Sequence, residues 1–372
     1  MKLLCFVKSL ICIVFYKTYD YNMVTDLVNL QEKQKKGMWW LYLNVKKMTE
    51  AAMLSAAFVV ISIIAIGAGF GYAGYLDIGV PVIIVIIYLR CGLKYTILSG
   101  VTSLLLIALT LGDIPSAIVM SQSMILGLAC GIIIPREGTL FDDLLFASIF
   151  GCIVMVIVDI NFSNLTGYSF IKESKEYLSY FPFITEELKQ ELYYFLIGTL
   201  PIETMFVTYF LSIILGKKFR VLNDSGNRKF LIITKFKNYG SYISCSKNTV
   251  NIAILSLIII TILGKVQFLA SNIYFDIIFN SSKYILLFFV LQDSYTMSNR
   301  FIYSLTKSRL MLLISQLGIL YMLLNYFKVT SLVIIIFNFA IDNLLNIRTK
   351  QLYILNKSLN KLMKENRKIK IA

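Results

Sequence analysis

Long uncharged apolar runs recur along this chain, and no ordinary soluble core has room for them. The first clear one reads Lys46, Lys47, then apolar from Ala51 to Phe70, then Gly71, Tyr72, Ala73 and Gly74. Two lysines at one end, about twenty uncharged residues and a glycine-rich exit describe a membrane helix with a fixed direction. Small residues mark two of its faces. Ala52 and Ala56 are four apart, and Ser55, Ser62 and Gly69 are seven apart. Such spacings let another helix approach closely in lipid.

Ten runs of this kind are predicted: Ala51–Phe70, Gly74–Leu89, Tyr95–Leu111, Ile114–Ile134, Leu144–Ile160, Tyr193–Gly216, Val250–Gly264, Tyr284–Met297, Leu310–Phe327 and Val329–Asn346. The second, seventh and eighth are short for an upright helix, so the count runs from eight to ten. With the Lys46–Lys47 end placed inside, alternation assigns 24 basic residues to inner segments and 6 to outer ones. This is the positive-inside pattern, and it puts both termini in the cytoplasm. The fold class expected is therefore an all-α polytopic transmembrane helix bundle.

The composition agrees. The chain has 372 residues, 58% of them hydrophobic and only 15% charged, where a soluble chain carries about 25% charged. The net charge of +15 would favour nucleic-acid binding in a soluble protein. Here the charges lie in inner loops and the tail, so no nucleic-acid partner is expected. There are no histidines, which removes the usual general base and the commonest metal ligand. The six cysteines form no CxxC pair and read as buried thiols. No nucleotide-binding loop GxxxxGK[ST] occurs. No enzyme activity, metal or cofactor is expected. Abundant Ile, Asn, Lys, Tyr and Phe point to an AT-rich bacterial genome, and so to a bacterial cell membrane.

Five segments follow. Residues 1–45 are expected to lie outside the fold, and read equally as a signal segment, an interfacial segment or an upstream extension. Residues 46–216 form a six-helix membrane module. A basic cytoplasmic loop, 217–249, contains the turn signal Asn223-Asp-Ser-Gly-Asn227. Residues 250–347 form a four-helix module. In the tail, 348–372, Leu352, Leu355, Leu359 and Leu362 share one helical face among eight basic residues. That tail is predicted to rest on the anionic inner leaflet or to dock a cytoplasmic partner. The outer loop Asn161–Leu192 mixes aromatic and acidic residues, the pattern of an amphipathic interfacial segment.

Acids and helix breakers at membrane depth are the candidate binding residues. Glu203 lies near the centre of the sixth run, two residues after Pro201, and a carboxylate there is expected to face a polar pocket inside the bundle. Asp159, Asp113 and Asp77 sit at outer ends. With Gly71 and Gly74 they are expected to converge on an outward-facing site, although Asp77 and Asp113 also read as plain loop acids. Asp342 is expected to pair with Arg348, or with a neighbouring run.

Three stretches carry a resemblance: Lys47-Met-Thr-Glu-Ala-Ala-Met-Leu54, Arg90-Cys-Gly-Leu-Lys-Tyr95 and Ile341-Asp-Asn-Leu-Leu-Asn-Ile-Arg348. Together they resemble the YybS-like family of uncharacterised bacterial multi-pass membrane proteins. The first six runs are also similar to the substrate-binding subunits of energy-coupling-factor transporters, whose first helix meets a coupling subunit through an Ala-x-x-x-Ala face. Ala52 and Ala56 match that spacing. The resemblance implies a solute-binding, transport-related module, with Glu203, Asp159, Gly71 and Gly74 at a small-molecule site and ATPase-driven coupling subunits as partners beside membrane lipid. The alternative from a different class is a scaffold or regulator acting through the basic loop and tail.

Overall fold

A computed structural model of the chain describes residues 45–69, 74–112, 114–181, 185–263 and 273–371. Among these residues every regular element is helical and none is a strand. In order they are α1 (Val45–Ala68), a π-helical turn (Tyr75–Gly79), α2 (Val80–Cys91), α3 (Leu93–Leu111), α4 (Ile114–Ile133), α5 (Leu140–Thr166), α6 (Phe170–Ser179), α7 (Glu186–Lys218) and α8 (Asp224–Thr234). After two single turns, Phe236–Tyr239 and Gly240–Tyr242, come α9 (Lys247–Leu263), α10 (Ile273–Thr306), α11 (Arg309–Asn325), α12 (Phe327–Leu345) and α13 (Ile347–Ile371). Seven of these are long and apolar enough to cross a membrane: α1, α3, α4, α5, α7, α10 and α12. The helices α2, α9 and α11 are apolar but shorter.

The eighth predicted run covered only Tyr284–Met297, whereas α10 has 34 residues. At 1.5 Å per residue it is roughly 50 Å long. Its ends were illegible in hydropathy because its buried stripe turns polar there, at Ser281 and Ser282 and again at Ser294 and Ser298. The same reasoning extends α7 outward through Glu186, Glu187, Lys189 and Glu191, two charged turns that continue the helix beyond its apolar stretch.

Thr49–Ala372 forms one compact unit, and Val45–Met48 is the first turn of α1. Of three hydrophobic clusters among the described residues, the one with most members runs from Val85 on α2 to Leu359 on α13, taking in α4, α5, α7, α8, α9 and α10 on the way. The segment 217–249, expected as a loop between two modules, folds into α8 and packs into that core through Ile232 and Ile243. The tail corrects a second expectation. Leu355 and Leu359 are 6% and 1% exposed and join the same core, so the apolar face of α13 lies on protein and not on lipid.

The closest helix approach is between α2 and α4. A Cβ at Gly127 would stand 2.4 Å from the Pro81 carbonyl oxygen, a distance no side chain tolerates. On α5, a Cβ at Gly151 would meet the ring of Pro201 on α7 at 3.1 Å. Small residues thus set the spacing where backbones touch, as lipid-embedded packing requires. On α1 the small residues sort by face. Ser55 and Ser62 are buried, Ser55 sharing a 2.6 Å hydrogen bond with Ser103 of α3 and Ser62 one of 2.6 Å with Tyr75. Ala52 and Ala56 are exposed. Replacing Gly127 by Ala is expected to destabilise the protein by about 1–3 kcal/mol through overpacking. Thermal unfolding in detergent reads that loss, and Gly318→Ala, where open space surrounds the position, is the control.

Candidate functional site

The polar groups of the interior gather at one end of the bundle, where α2, α4 and α7 end and α5 and α9 begin. A short segment, Ile243–Ser246, buried from Ile243 to Cys245, crosses this end outside any helix. Ser244 is 0% exposed and Cys245 1%. Backbone groups buried this way must find other partners. Asp293 of α10 accepts the Cys245 N–H at 2.8 Å, and Asp142 of α5 accepts the Ser246 N–H at 2.9 Å. Arg348 of α13 donates to the Cys245 carbonyl at 2.6 Å.

Arg348 is itself buried, at 1% exposure, and carries two carboxylates. Its Nη2 lies 2.8 Å from Asp293 Oδ2 and its Nε 3.2 Å from Asp342 Oδ2. The Asp342–Arg348 pair expected from spacing is present, and Asp293 completes it. Burial alone would lower the guanidinium pKa; the two carboxylates, Asp293 first, more than reverse this and leave it raised. Asn338 of α12 donates to Ser294 at 2.9 Å beside the same carboxylate. Arg300 donates to Gln351 of α13 and stacks over the Tyr242 ring at 5.8 Å. Burial also pushes the Cys245 thiol well above its ordinary pKa, so it remains an inert thiol. The described cysteines Cys91, Cys130, Cys152 and Cys245 are all free and buried.

A second buried cation stands beside the first cluster. Lys229 of α8, 3% exposed, donates to Asp143 Oδ2 at 2.6 Å, to the Arg136 carbonyl at 2.8 Å and to the Ile134 carbonyl at 3.0 Å. Those carbonyls are the open end of α4, so one ammonium caps a helix C-terminus and neutralises a carboxylate together. Tyr209 of α7 donates to the same Asp143 oxygen. Burial lowers the Lys229 pKa, and the Asp143 charge pulls it partly back. Asn223, the N-cap of α8, bonds the Pro135 carbonyl at 2.8 Å, and Ser225 bonds the Arg136 carbonyl at 2.5 Å.

Between α8, the start of α5, the segment Ile243–Ser246 and α13 lies a cavity of about 330 Å³. Its polar wall holds Arg228, Lys229, Ser244 and Ser246, and its apolar wall Ile232, Leu355 and Leu359. Two of the lining groups have unused hydrogen-bonding capacity. The Arg228 Nε and the Ser244 hydroxyl are buried with no partner. Buried polar atoms left this way are rare and point to a group that completes them. Thr139 at the N-cap of α5 also faces the cavity, adding the positive end of a helix dipole. Asp142 lines it too, but its Oδ1 is occupied by Ser246, while Glu137 at the rim is exposed. Among the described residues no three Cys, Asp or Glu side chains gather as metal ligands.

The residues singled out in the sequence do not form one outward-facing pocket. Glu203 is exposed on α7, lining an apolar groove of about 250 Å³ between α7 and α10 with Phe195, Phe206, Tyr284 and Phe288. The buried stripe of α7 includes Gly198, Pro201, Met205, Thr208 and Ser212. Glu203 stands about 200° around the helix from Pro201, so it faces away from the core. Asp159 is buried, and both its oxygens are used. It accepts from Ser169 Oγ at 2.7 Å and from the Phe170 N–H at 2.8 Å, fastening the start of α6. Gly74 is exposed beside the π-helical turn, and Gly71 and Asp113 lie outside the described residues. Sequence reasoning passed over Lys229, Asp143, Arg228 and Ser244. The available signal was Asp142–Asp143, a carboxylate pair opening an apolar run next to the most basic internal segment.

No family model, curated protein or solved structure matches the chain.

Lys229→Met leaves Asp143 buried without its cation and is expected to cost about 3–5 kcal/mol, whereas Lys229→Met with Asp143→Leu recovers most of the loss. Chemical unfolding in detergent measures both. A full loss retained in the double variant would show that the lysine acts through the α4 carbonyls alone.

Proposed function

We propose that the chain is a multi-pass protein of a bacterial cell membrane and that it binds a small anionic solute in the cavity at its basic end. The observation that carries this is the unpartnered Arg228 Nε and Ser244 hydroxyl on the wall of a 330 Å³ cavity. One oxyanion against these donors satisfies both, and Ile232, Leu355 and Leu359 take an apolar body. The solute expected is a carboxylate or phosphate ester with an aliphatic or aromatic part.

The distribution of basic residues, 24 against 6, supports ten membrane segments with both termini in the cytoplasm, so the cavity opens on the cytoplasmic side. A transport-related role, as in energy-coupling-factor substrate subunits, is supported by α1, whose Ala52 and Ala56 face outward while Ser55 and Ser62 face the bundle. That outward face is where a coupling subunit would dock. A scaffold reading has its own support in Lys350, Lys357 and Lys361, exposed on α13 and suited to an anionic membrane surface.

The test uses the full chain in zwitterionic nanodiscs, with phenylacetate, 2-phenylethanol and inorganic phosphate as probes. Phenylacetate is expected to raise the melting temperature, 2-phenylethanol is not, and Arg228→Gln is expected to weaken phenylacetate binding by about tenfold or more. Ser244→Ala gives a smaller loss. Equal shifts with the alcohol and the acid, or an undiminished shift in Arg228→Gln, reject the anion site. If every solute arm fails while Lys350→Gln, Lys357→Gln and Lys361→Gln together abolish a preference for anionic vesicles, the scaffold reading takes its place.

A further inference from the structure

Glu203 is the only charged residue between Leu192 and Gly216, and it sits in the middle of that run. It is exposed on the flank of the bundle, and it makes no hydrogen bond or ion pair among the described residues. Asp77, on the π-helical turn that packs against α7, is also exposed and adds a second negative charge on that side. A carboxylate turned to lipid at mid-depth is costly, and an acid of the same sign gives it no relief. Among the described residues no cation pairs with Glu203 or Asp77.

We propose that this face docks a membrane-spanning helix of another chain, and that the helix carries a lysine or arginine at mid-depth. Charge complementarity chooses the occupant. A free monovalent or divalent cation needs about six or more oxygen ligands, whereas the groove offers Glu203 and the hydroxyls of Thr199 and Tyr284 among walls of Phe195, Phe206 and Phe288. The amine of a lipid headgroup stays at the interface, about 15 Å from the bilayer centre. A basic side chain reaches Glu203 only when an apolar helix delivers it there. The groove fits such a helix, with half-exposed aromatic walls (48% for Phe195, 47% for Phe206 and Phe288) that a second helix would cover. π-Helical turns recur at functional positions, and this one packs against α7 and carries Asp77. The proposal is independent of the solute cavity, which lies at the basic end and shares no residue with the groove.

The test places the full chain in phosphatidylcholine vesicles with a labelled synthetic Leu–Ala spanning helix bearing one central lysine, and reads association by energy transfer. The lysine helix is expected to bind about tenfold tighter than the same helix with a central leucine. Glu203→Gln brings it down to the level of the leucine helix, and Asp77→Asn gives an intermediate loss. Because Glu203 is on the surface, Glu203→Gln should keep its melting temperature, which separates lost docking from lost folding. Thr199→Trp fills the groove and should block the lysine helix with Glu203 intact. Equal binding of the two helices, or indifference to Glu203→Gln or Thr199→Trp, overturns the proposal. Cross-links between two copies through a cysteine at position 206 that survive Glu203→Gln also overturn it, by assigning the face to self-association.

Discussion

Buried backbone groups without a partner in their own helix must be satisfied from elsewhere, and at the basic end of this bundle that constraint falls on the N–H and carbonyl of Cys245 and the N–H of Ser246. Three carboxylates and one guanidinium meet it. Asp142 comes from α5, Asp293 from α10, and Arg348 from α13, with Asp342 of α12 holding the arginine. Each of these groups would be unfavourable alone at such burial, and each is made tolerable by the others. Cys245 is held from both sides, its N–H by Asp293 and its carbonyl by Arg348, which is in turn paired to Asp293. This ring of bonds ties α10 and α13 to one residue.

Lys229 plays the same part for α4 and α5. Its three nearest acceptors, two carbonyls and one carboxylate, match its three N–H groups, so nothing in that contact is left over. Buried ion pairs contribute little net stability compared with well-packed apolar residues, but they penalise every arrangement that separates them. Here such pairs join segments as distant in sequence as Asp143 and Lys229, or Asp293 and Arg348. They fix how α8 and α13 seat on the membrane helices, and α8 and α13 are the walls of the solute cavity. Among the groups that line this cavity, Arg228 and Ser244 are the two with a buried atom left without a partner.

Much of the fold was legible because lipid imposes a length and a polarity that sequence displays directly. Each of the ten apolar runs is mainly helical over its described residues, with Tyr326 breaking the ninth, and the local Asp342–Arg348 pair followed from spacing alone. What was not legible is direction around an axis. Periodicity gave the leucine face of α13 but could not say whether lipid or protein covers it, since both are apolar; Ile232 and Ile243, distant in sequence, decided that. Depth placed Glu203 at mid-membrane, yet its facing followed from the small and buried residues Gly198, Pro201, Thr208 and Ser212 on the opposite side. Asp159 had the right position for a pocket and a different task, because the chain returns at Ser169 and Phe170 to use it.

These observations separate two ways of handling a charge inside a membrane protein. At the basic end, Arg348 and Lys229 are answered from within the chain, by carboxylates and carbonyls. At mid-depth on the flank, Glu203 is answered by nothing in the described structure, and the exposed acid on the turn packed against its helix, Asp77, has the same sign. A chain that satisfies Arg348 with three separate acceptors has the means to pair an acid when the acid serves only packing. An acid left outward at that depth is therefore a feature of the surface, addressed to what that surface meets, and the aromatic groove beside it gives the shape of the partner that would answer it.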